Sequence, residues 1–293
     1  MNYIPAKTLI TRTKNSYWFG TDYNMNIYKG CCHGCIYCDS RSDCYGIDNF
    51  DTVRAKDNSS LLLQKELKSK IRTGVIGTGA MSDPYNPFEE KYELTRNALK
   101  IIDNNGFGIA IATKSSLICR DIDILQKISK HSPVICKITI TTFDDNLSSK
   151  IEQNVNPSSK RFEAIDKLSS AGLYSGILLM PILPYINDNE ENIINIVRKA
   201  HECGAKFIFP SFGVTLRNNQ RDYYFKKLDE SFPSIKSKYI SQYKNSYACG
   251  SPNAKRLYHS FKNECEKLGL LYKMNDIISD YKSKYIIEQI SLF

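Results

Sequence analysis

Gly30-Cys31-Cys32-His33-Gly34-Cys35-Ile36-Tyr37-Cys38 decides the reading of this chain. Its cysteines are spaced C-x3-C-x2-C at Cys31, Cys35 and Cys38. Three thiolates this close converge on one soft metal centre. Three is the informative number, because a closed zinc site or an ordinary iron–sulfur cluster takes four protein ligands. Three ligands on a four-iron cluster leave one iron open. Gly30 and Gly34 let the backbone turn tightly there. The competing reading is a zinc knuckle, with Cys32, His33 or Cys44 as fourth ligand.

The other cysteines favour metal over disulfides. Five of the ten fall between Cys31 and Cys44, and Cys119, Cys136, Cys203, Cys249 and Cys265 are scattered singly. A disulfide framework spreads pairs along a secreted chain. The 293 residues are 42% hydrophobic and 24% charged, ordinary for a globular protein. No apolar run approaches the roughly 20 residues that span a bilayer. The polar N-terminus does not read as a signal peptide. A cytoplasmic protein with no membrane partner is expected. The net charge of +9 sits at the two ends, +3 over residues 1–30 and +6 over residues 217–293. That leaves room for a nucleic-acid partner; a Lys-rich solvated surface is the plainer alternative.

Outward from the motif, short apolar runs alternate with amphipathic ones. Strands are expected at Asn26–Lys29, Val75–Gly79, Gly108–Thr113, Val134–Thr142, Ser175–Met180 and Lys206–Pro210. Several are near-continuously apolar, as doubly covered strands are. Helices are expected at Ser59–Ile71, Pro87–Asn104, Asp121–Ser129, Pro157–Ala171 and Asn189–Cys203. Leu94, Ala98, Ile101 and Ile102 mark one buried face, and Ile193, Ile196, Val197 and Ala200 another. Such alternation implies α/β architecture with parallel strands, either a doubly wound sheet or an incomplete barrel. After Gly213 the pattern becomes basic, tyrosine-rich and helical. The expected division is residues 1–216 and a C-terminal helical extension over 217–293, packed on the first part.

At these residues the sequence resembles the radical S-adenosylmethionine superfamily, and more closely its spore photoproduct lyase-related branch. Tyr37 holds the aromatic place before the last motif cysteine. The resemblance implies a partial (βα)6 TIM-like barrel with a [4Fe–4S] cluster on Cys31, Cys35 and Cys38. It implies reductive cleavage of S-adenosylmethionine to a 5′-deoxyadenosyl radical, which takes hydrogen from a substrate. The electron would come from a flavodoxin- or ferredoxin-like reductant, or from dithionite in vitro.

Further motifs carry the likeness. Gly77-Thr78-Gly79-Ala80-Met81-Ser82-Asp83-Pro84-Tyr85 ends the second strand, where the superfamily meets the cofactor's amino group. Gly79, Ser82 and Asp83 are the candidates. Lys114 closes the third strand and corresponds to the partner of the cofactor carboxylate. Thr139 resembles the hydroxyl residue of the same site. Met180 and Ile182, in a proline-flanked turn ending at Asn187-Asp188, correspond to apolar walls beside adenine and ribose. That turn reads equally as a rigid cap before a helix.

Two departures matter. The lyases use a cysteine near the end of the second strand, and here Met81 stands at the matching place. A thioether has no S–H to give. The lyases also carry a tyrosine after the third cluster cysteine, and here it is Asp39. Kinship with the lyase branch implies a nucleic-acid or nucleotide-like substrate. A peptide or small-molecule substrate is the alternative within the same chemistry, and a non-catalytic zinc-dependent nucleic-acid-binding module the alternative outside it. Cys249 and Cys265 are too far apart and too few for a second four-thiolate cluster.

Overall fold

Strand–helix alternation builds most of the chain, which a computed structural model describes over residues 1–70 and 72–285. The chain opens with β1 (Asn2–Ile4), β2 (Ile10–Arg12), β3 (Tyr23–Met25) and β4 (Tyr28–Lys29); β5 (Arg54–Lys56) follows the cysteine loop. Then come α1 (Ser59–Lys68), β6 (Val75–Thr78), α2 (Glu89–Tyr92), α3 (Leu94–Asn104), β7 (Gly108–Thr113) and α4 (Ile122–Ile128). Next are β8 (Val134–Thr139), α5 (Asp145–Ile151), α6 (Ser158–Ser170), β9 (Ser175–Leu179), α7 (Glu190–Glu202) and β10 (Phe207–Pro210). These are followed by β11 (Gly213–Thr215), α8 (Gln220–Ser231), α9 (Ile235–Tyr243), β12 (Ala248–Gly250), α10 (Ala254–Leu268) and α11 (Met274–Lys282).

The main sheet runs β10-β9-β8-β7-β6-β3-β2. From β3 to β10 every neighbour is parallel and follows chain order. β2 adds an antiparallel edge. The result is the expected α/β partial barrel of six parallel strands, open between β2 and β10. β1, β5 and β4 form a separate small sheet beside it.

Side chains alternate between two cores, as the two-residue strand period requires. On β8, Cys136 and Ile138 pack outward under the helices. Ile135 faces inward with Val75, Ala110, Leu178 and Phe207. Met274, Ile277 and Tyr281 of α11 join them with Phe19, so the barrel floor is plugged with apolar side chains. α8 and α9 pack on the cysteine loop: Tyr224, Leu228 and Tyr239 share one core with Cys35, Ile36 and Tyr37. The antiparallel β11–β12 pair crosses the boundary between residues 216 and 217.

Three expectations need correction. The first barrel strand is Tyr23–Met25, whereas Tyr28–Lys29 pairs with β5 in the small sheet. A three-residue strand carries too little alternation to be seen. The expected helix Pro87–Asn104 breaks at Glu93, which adopts a left-handed φ of 49°. The buried Glu89 carboxylate turns back and accepts from the backbone N–H groups of Thr95 and Arg96 at 3.0 and 3.2 Å, capping α3. The buried face of α3 is Thr95, Ala98, Leu99 and Ile102, while Leu94 and Ile101 are half-buried. The expected α1 terminus, Ile71, lies outside the described residues, as do residues 286–293 of the C-terminal stretch.

Candidate active site

The cysteine loop connects β4 to β5 and is fastened at its start, middle and end. Gly30 has φ +81°, and a Cβ there would lie 2.4 Å from the Thr52 carbonyl oxygen, so only glycine fits. The Cys31 N–H donates to the Phe50 carbonyl at 2.8 Å. Ser82 donates to the Gly30 carbonyl at 2.5 Å. The last residue of α5 and the segment after it grip the middle of the loop. The Ile36 N–H donates to Ile151 O at 3.0 Å, and the Asn154 N–H to His33 O at 2.9 Å. Asn154 Nδ2 donates to Cys32 O at 2.9 Å.

Beneath the loop lies a buried ion pair that the sequence reading missed. Arg161 Nη2 is 2.5 Å from Glu152 Oε2, and both side chains are fully buried. Arg161 also donates to Thr139 O at 2.9 Å, Asn156 O at 2.7 Å and Ser148 Oγ at 3.0 Å. The Tyr37 hydroxyl donates to Glu152 Oε1. Burial alone would raise the Glu152 pKa, but Arg161 and Lys114 outweigh it and hold the carboxyl below its ordinary value. Tyr37 is therefore hydrogen-bonded to a fixed carboxylate and supports the loop from below.

The three motif thiols are near enough to feel one another's charge. Burial pushes Cys31 up to about 12, helped by Asp83 and Cys38. Burial also raises Cys35 and Cys38. The Lys114 charge pulls the last two back down, and its Nζ lies 5.6 Å from the ring centroid of Tyr37, between them in sequence. For Lys114, burial would lower the pKa, but Cys35, Glu152, Asp83 and Cys38 hold it above its ordinary value. Thiols such as these, Cys35 buried and Cys31 and Cys38 half-buried, stay protonated unless a metal centre stabilises them as thiolates. The candidate fourth ligands point elsewhere. His33 Nδ1 faces Asp83 Oδ2 at 3.5 Å, Cys32 packs against the main core, and Cys44 lies by Ser42 and Arg217. Among the described residues no three His, Cys, Asp or Glu side chains sit close enough to hold a single metal ion. The donor set fits a three-thiolate cluster with an open iron.

Beside the thiols, a cavity of about 420 Å³ opens at the carboxyl ends of the strands. Tyr37, Gly79, Asp83, Lys114, Thr139 and Met180 all line it. Gly79 has φ +93°, and a Cβ there would stand 1.9 Å from the Ala112 carbonyl oxygen. Asp83 fastens the strand ends together. It accepts from Thr113 Oγ1 at 2.6 Å, the Lys114 N–H at 2.9 Å and the Tyr85 N–H at 2.9 Å. Two expected residues are not on the cavity wall. Ser82 is turned to Gly30, and Ile182 is fully buried in the main core while Pro181 takes the wall position beside Met180. Asn187 and Asp188 hold the turn itself, and the cap of α7 is Asn189, accepting from the Asn192 N–H at 2.9 Å.

The cavity has further walls. Asp39 lines it, held by Tyr45, Thr215 and Arg217. Met81 does not. Trp18, the one tryptophan of the chain, lines it and is 41% exposed. Its ring is set edge-on to Phe19 and Phe209 at 5.0 and 5.4 Å. Lys137 lies on the inward face of β8, two residues before Thr139. A lysine inside the apolar run Val134–Ile138 was the legible sign of it. A larger cleft, about 950 Å³, lies apart, between Thr142–Leu147 and α6–α7.

Burial pushes the Lys137 pKa down from 10.5 to about 7. The unfolded chain keeps that proton up to 10.5, so between about pH 7 and 10.5 it binds more protons than the folded one, and stability rises with pH. Lys137→Met removes this contribution. Asp39, Asp83 and Lys114, the other charged groups on the cavity, are common to both proteins. The excess Tm of the variant over wild type is therefore expected to be largest below pH 7 and to shrink toward pH 10. A pH-independent difference in melting would contradict this.

A family model described as the radical SAM superfamily matches residues 25–199. An uncharacterized protein of Methanocaldococcus jannaschii is 35% identical over 190 residues, 64% of this chain and 69% of its own length. One of Mycobacterium tuberculosis is 26% identical over 246 residues, 82% of this chain and 72% of its own. A spore photoproduct lyase variant with bound AdoMet and dinucleoside spore photoproduct is similar in fold, with a TM-score of 0.68 and 14% identity over 92% of this chain and 81% of that one. The radical S-adenosylmethionine methyltransferase TsrM from Kitasatospora setae gives a TM-score of 0.55 at 10% identity, over 84% of this chain and 51% of that one.

Proposed function

This chain belongs to the radical SAM superfamily, whose enzymes use a [4Fe–4S] cluster and S-adenosylmethionine, and from that premise we propose that Cys31, Cys35 and Cys38 hold the cluster and the adjoining cavity receives the cofactor. The observation that carries the reading is that Lys114 and the Gly79–Asp83 turn line one cavity together with Tyr37 and Asp39, the residues that flank the last motif cysteine, while Lys114 is coupled to Cys35 and Cys38. When bound, the cluster and S-adenosylmethionine supply one-electron cleavage of the sulfonium and hydrogen abstraction from the substrate. Lys114 binds the cofactor carboxylate. The strand end at Gly79 lets a ligand approach the backbone closely, and its carbonyls and the Asp83 carboxylate accept from the amino group. Asp83 also positions Lys114 through its backbone N–H. Thr139 offers a hydroxyl, and Met180 an apolar wall. The plugged floor and the α8–α9 layer keep water from the reacting groups.

Lys114→Met tests this directly. A charge-assisted hydrogen bond contributes about 1.5–3 kcal/mol. The variant is expected to bind S-adenosylmethionine roughly 10- to 100-fold more weakly by calorimetry on the reconstituted protein. Unchanged affinity would take the carboxylate away from Lys114.

The substrate we propose is a nucleic acid or nucleotide-like molecule. Basic chain ends and the partly exposed Trp18 support it, since aromatic rings stack bases and basic surface attracts phosphates. Anisotropy with labelled DNA and RNA oligonucleotides is the measurement. Binding at 50 mM salt that weakens steeply by 200 mM is expected. No binding to either at low salt removes this substrate class and leaves a peptide or small molecule.

A further inference from the structure

The cavity contains two lysines at two depths. Lys114 sits at the rim, its Nζ 5.6 Å from the Tyr37 ring centroid and coupled to Cys35 and Cys38. Lys137 sits deeper, its Nζ 4.5 Å from the ring of Phe19, which belongs to the barrel floor. The side chain is almost wholly buried, at 2% exposure, yet it lines the cavity. Among the described residues no hydrogen bond or ion pair reaches its Nζ. The two carboxylates on the cavity are engaged elsewhere: Asp39 with Tyr45, Thr215 and Arg217, Asp83 with Thr113, Tyr85 and the Lys114 N–H. With only the Phe19 ring beside it, the buried amine costs stability, since desolvation disfavours its charged form. A ligand with a negative charge supplies the missing partner. The cofactor has one carboxylate, and Lys114 takes it.

We infer that Lys137 is the binding point for an oxyanion of the substrate, a phosphate or a carboxylate, held on the barrel floor beneath the cofactor. This rests on the reading that Lys114 binds the cofactor carboxylate. Neighbours on the wall suit a flat anionic molecule. Trp18 lines the wall with its ring perpendicular to that of Phe19, and Asn24 and Thr21 add polar groups. The arrangement places the substrate's charge at depth and leaves its remaining surface to the open side of the barrel.

The test uses the reconstituted holoprotein saturated with S-adenosylmethionine. It is titrated anaerobically with inorganic phosphate and, separately, with acetate, at constant ionic strength and with heat as the readout. One site for one of these anions is expected, phosphate marking a phosphoryl-bearing substrate and acetate a carboxylate. Lys137→Met should weaken that binding at least tenfold while leaving S-adenosylmethionine affinity within twofold of wild type. Its melting temperature, at or above wild type, shows that it folds. No anion binding by the wild type, or equal binding by the variant, overturns the inference while cofactor binding stands. Loss of S-adenosylmethionine affinity in Lys137→Met also overturns it, by placing Lys137 in the cofactor's own site. Failure of the wild type to bind S-adenosylmethionine at all removes the reading beneath it.

Discussion

Cys35→Ala is expected to lose the iron. The reconstituted wild type should carry about four irons per chain, and the variant close to none, with its brown absorbance gone. Cys35 lies in the core shared by the cysteine loop and α8–α9. Its backbone is paired with Glu152 across an isolated bridge, and the Ile36 N–H is held by Ile151. Those contacts do not need the thiol, so the apo loop survives the substitution. What is lost is one of three soft ligands, and two thiolates leave a second iron without a protein ligand. Iron retained at the wild-type level would place the cluster on other residues.

Arg161→Met is expected to give the largest loss of stability. Arg161 compensates a fully buried carboxylate and donates to three further acceptors beneath the loop. Removing one partner of such a pair costs about 3–5 kcal/mol, because the other is left charged and desolvated. In a chain of this length that corresponds to a fall in Tm on the order of 10 °C. The double variant Arg161→Met/Glu152→Gln should recover part of the loss, since it no longer buries a charge. A fall of under about 1 kcal/mol for the single variant would mean that the pair does not hold the loop's foundation.

The parts legible in the sequence share one property: their signals are local. Cys31, Cys35 and Cys38 announce themselves by spacing. The apolar runs of β6 to β9 and the stripe of α7, with Ile193, Ile196, Val197 and Ala200 all buried, are periodic enough to place the barrel. Lys114 follows from its place at a strand end. Illegible were features made by distant segments meeting. Glu152 and Arg161 become a pair only when α5 and α6 fold under the cysteine loop. Ser82 looked like a cofactor ligand from its position in the turn, but the loop's Gly30 carbonyl claims its hydroxyl. Ile182 looked like a wall, but the turn points it into the main core. Strand β3 was hidden because three residues carry almost no period. Lys137 stands between these cases: its residue type in an apolar strand was visible, and the emptiness of its surroundings was not.

Splitting of S-adenosylmethionine in this cavity, at a cluster on the three motif cysteines, leaves a product that can be followed. The direct measurement is anaerobic reconstitution with iron and sulfide, followed by S-adenosylmethionine and dithionite, with 5′-deoxyadenosine followed by chromatography. 5′-Deoxyadenosine should form with the wild type and disappear with Cys35→Ala. An intact cluster with bound S-adenosylmethionine and no 5′-deoxyadenosine would contradict the account.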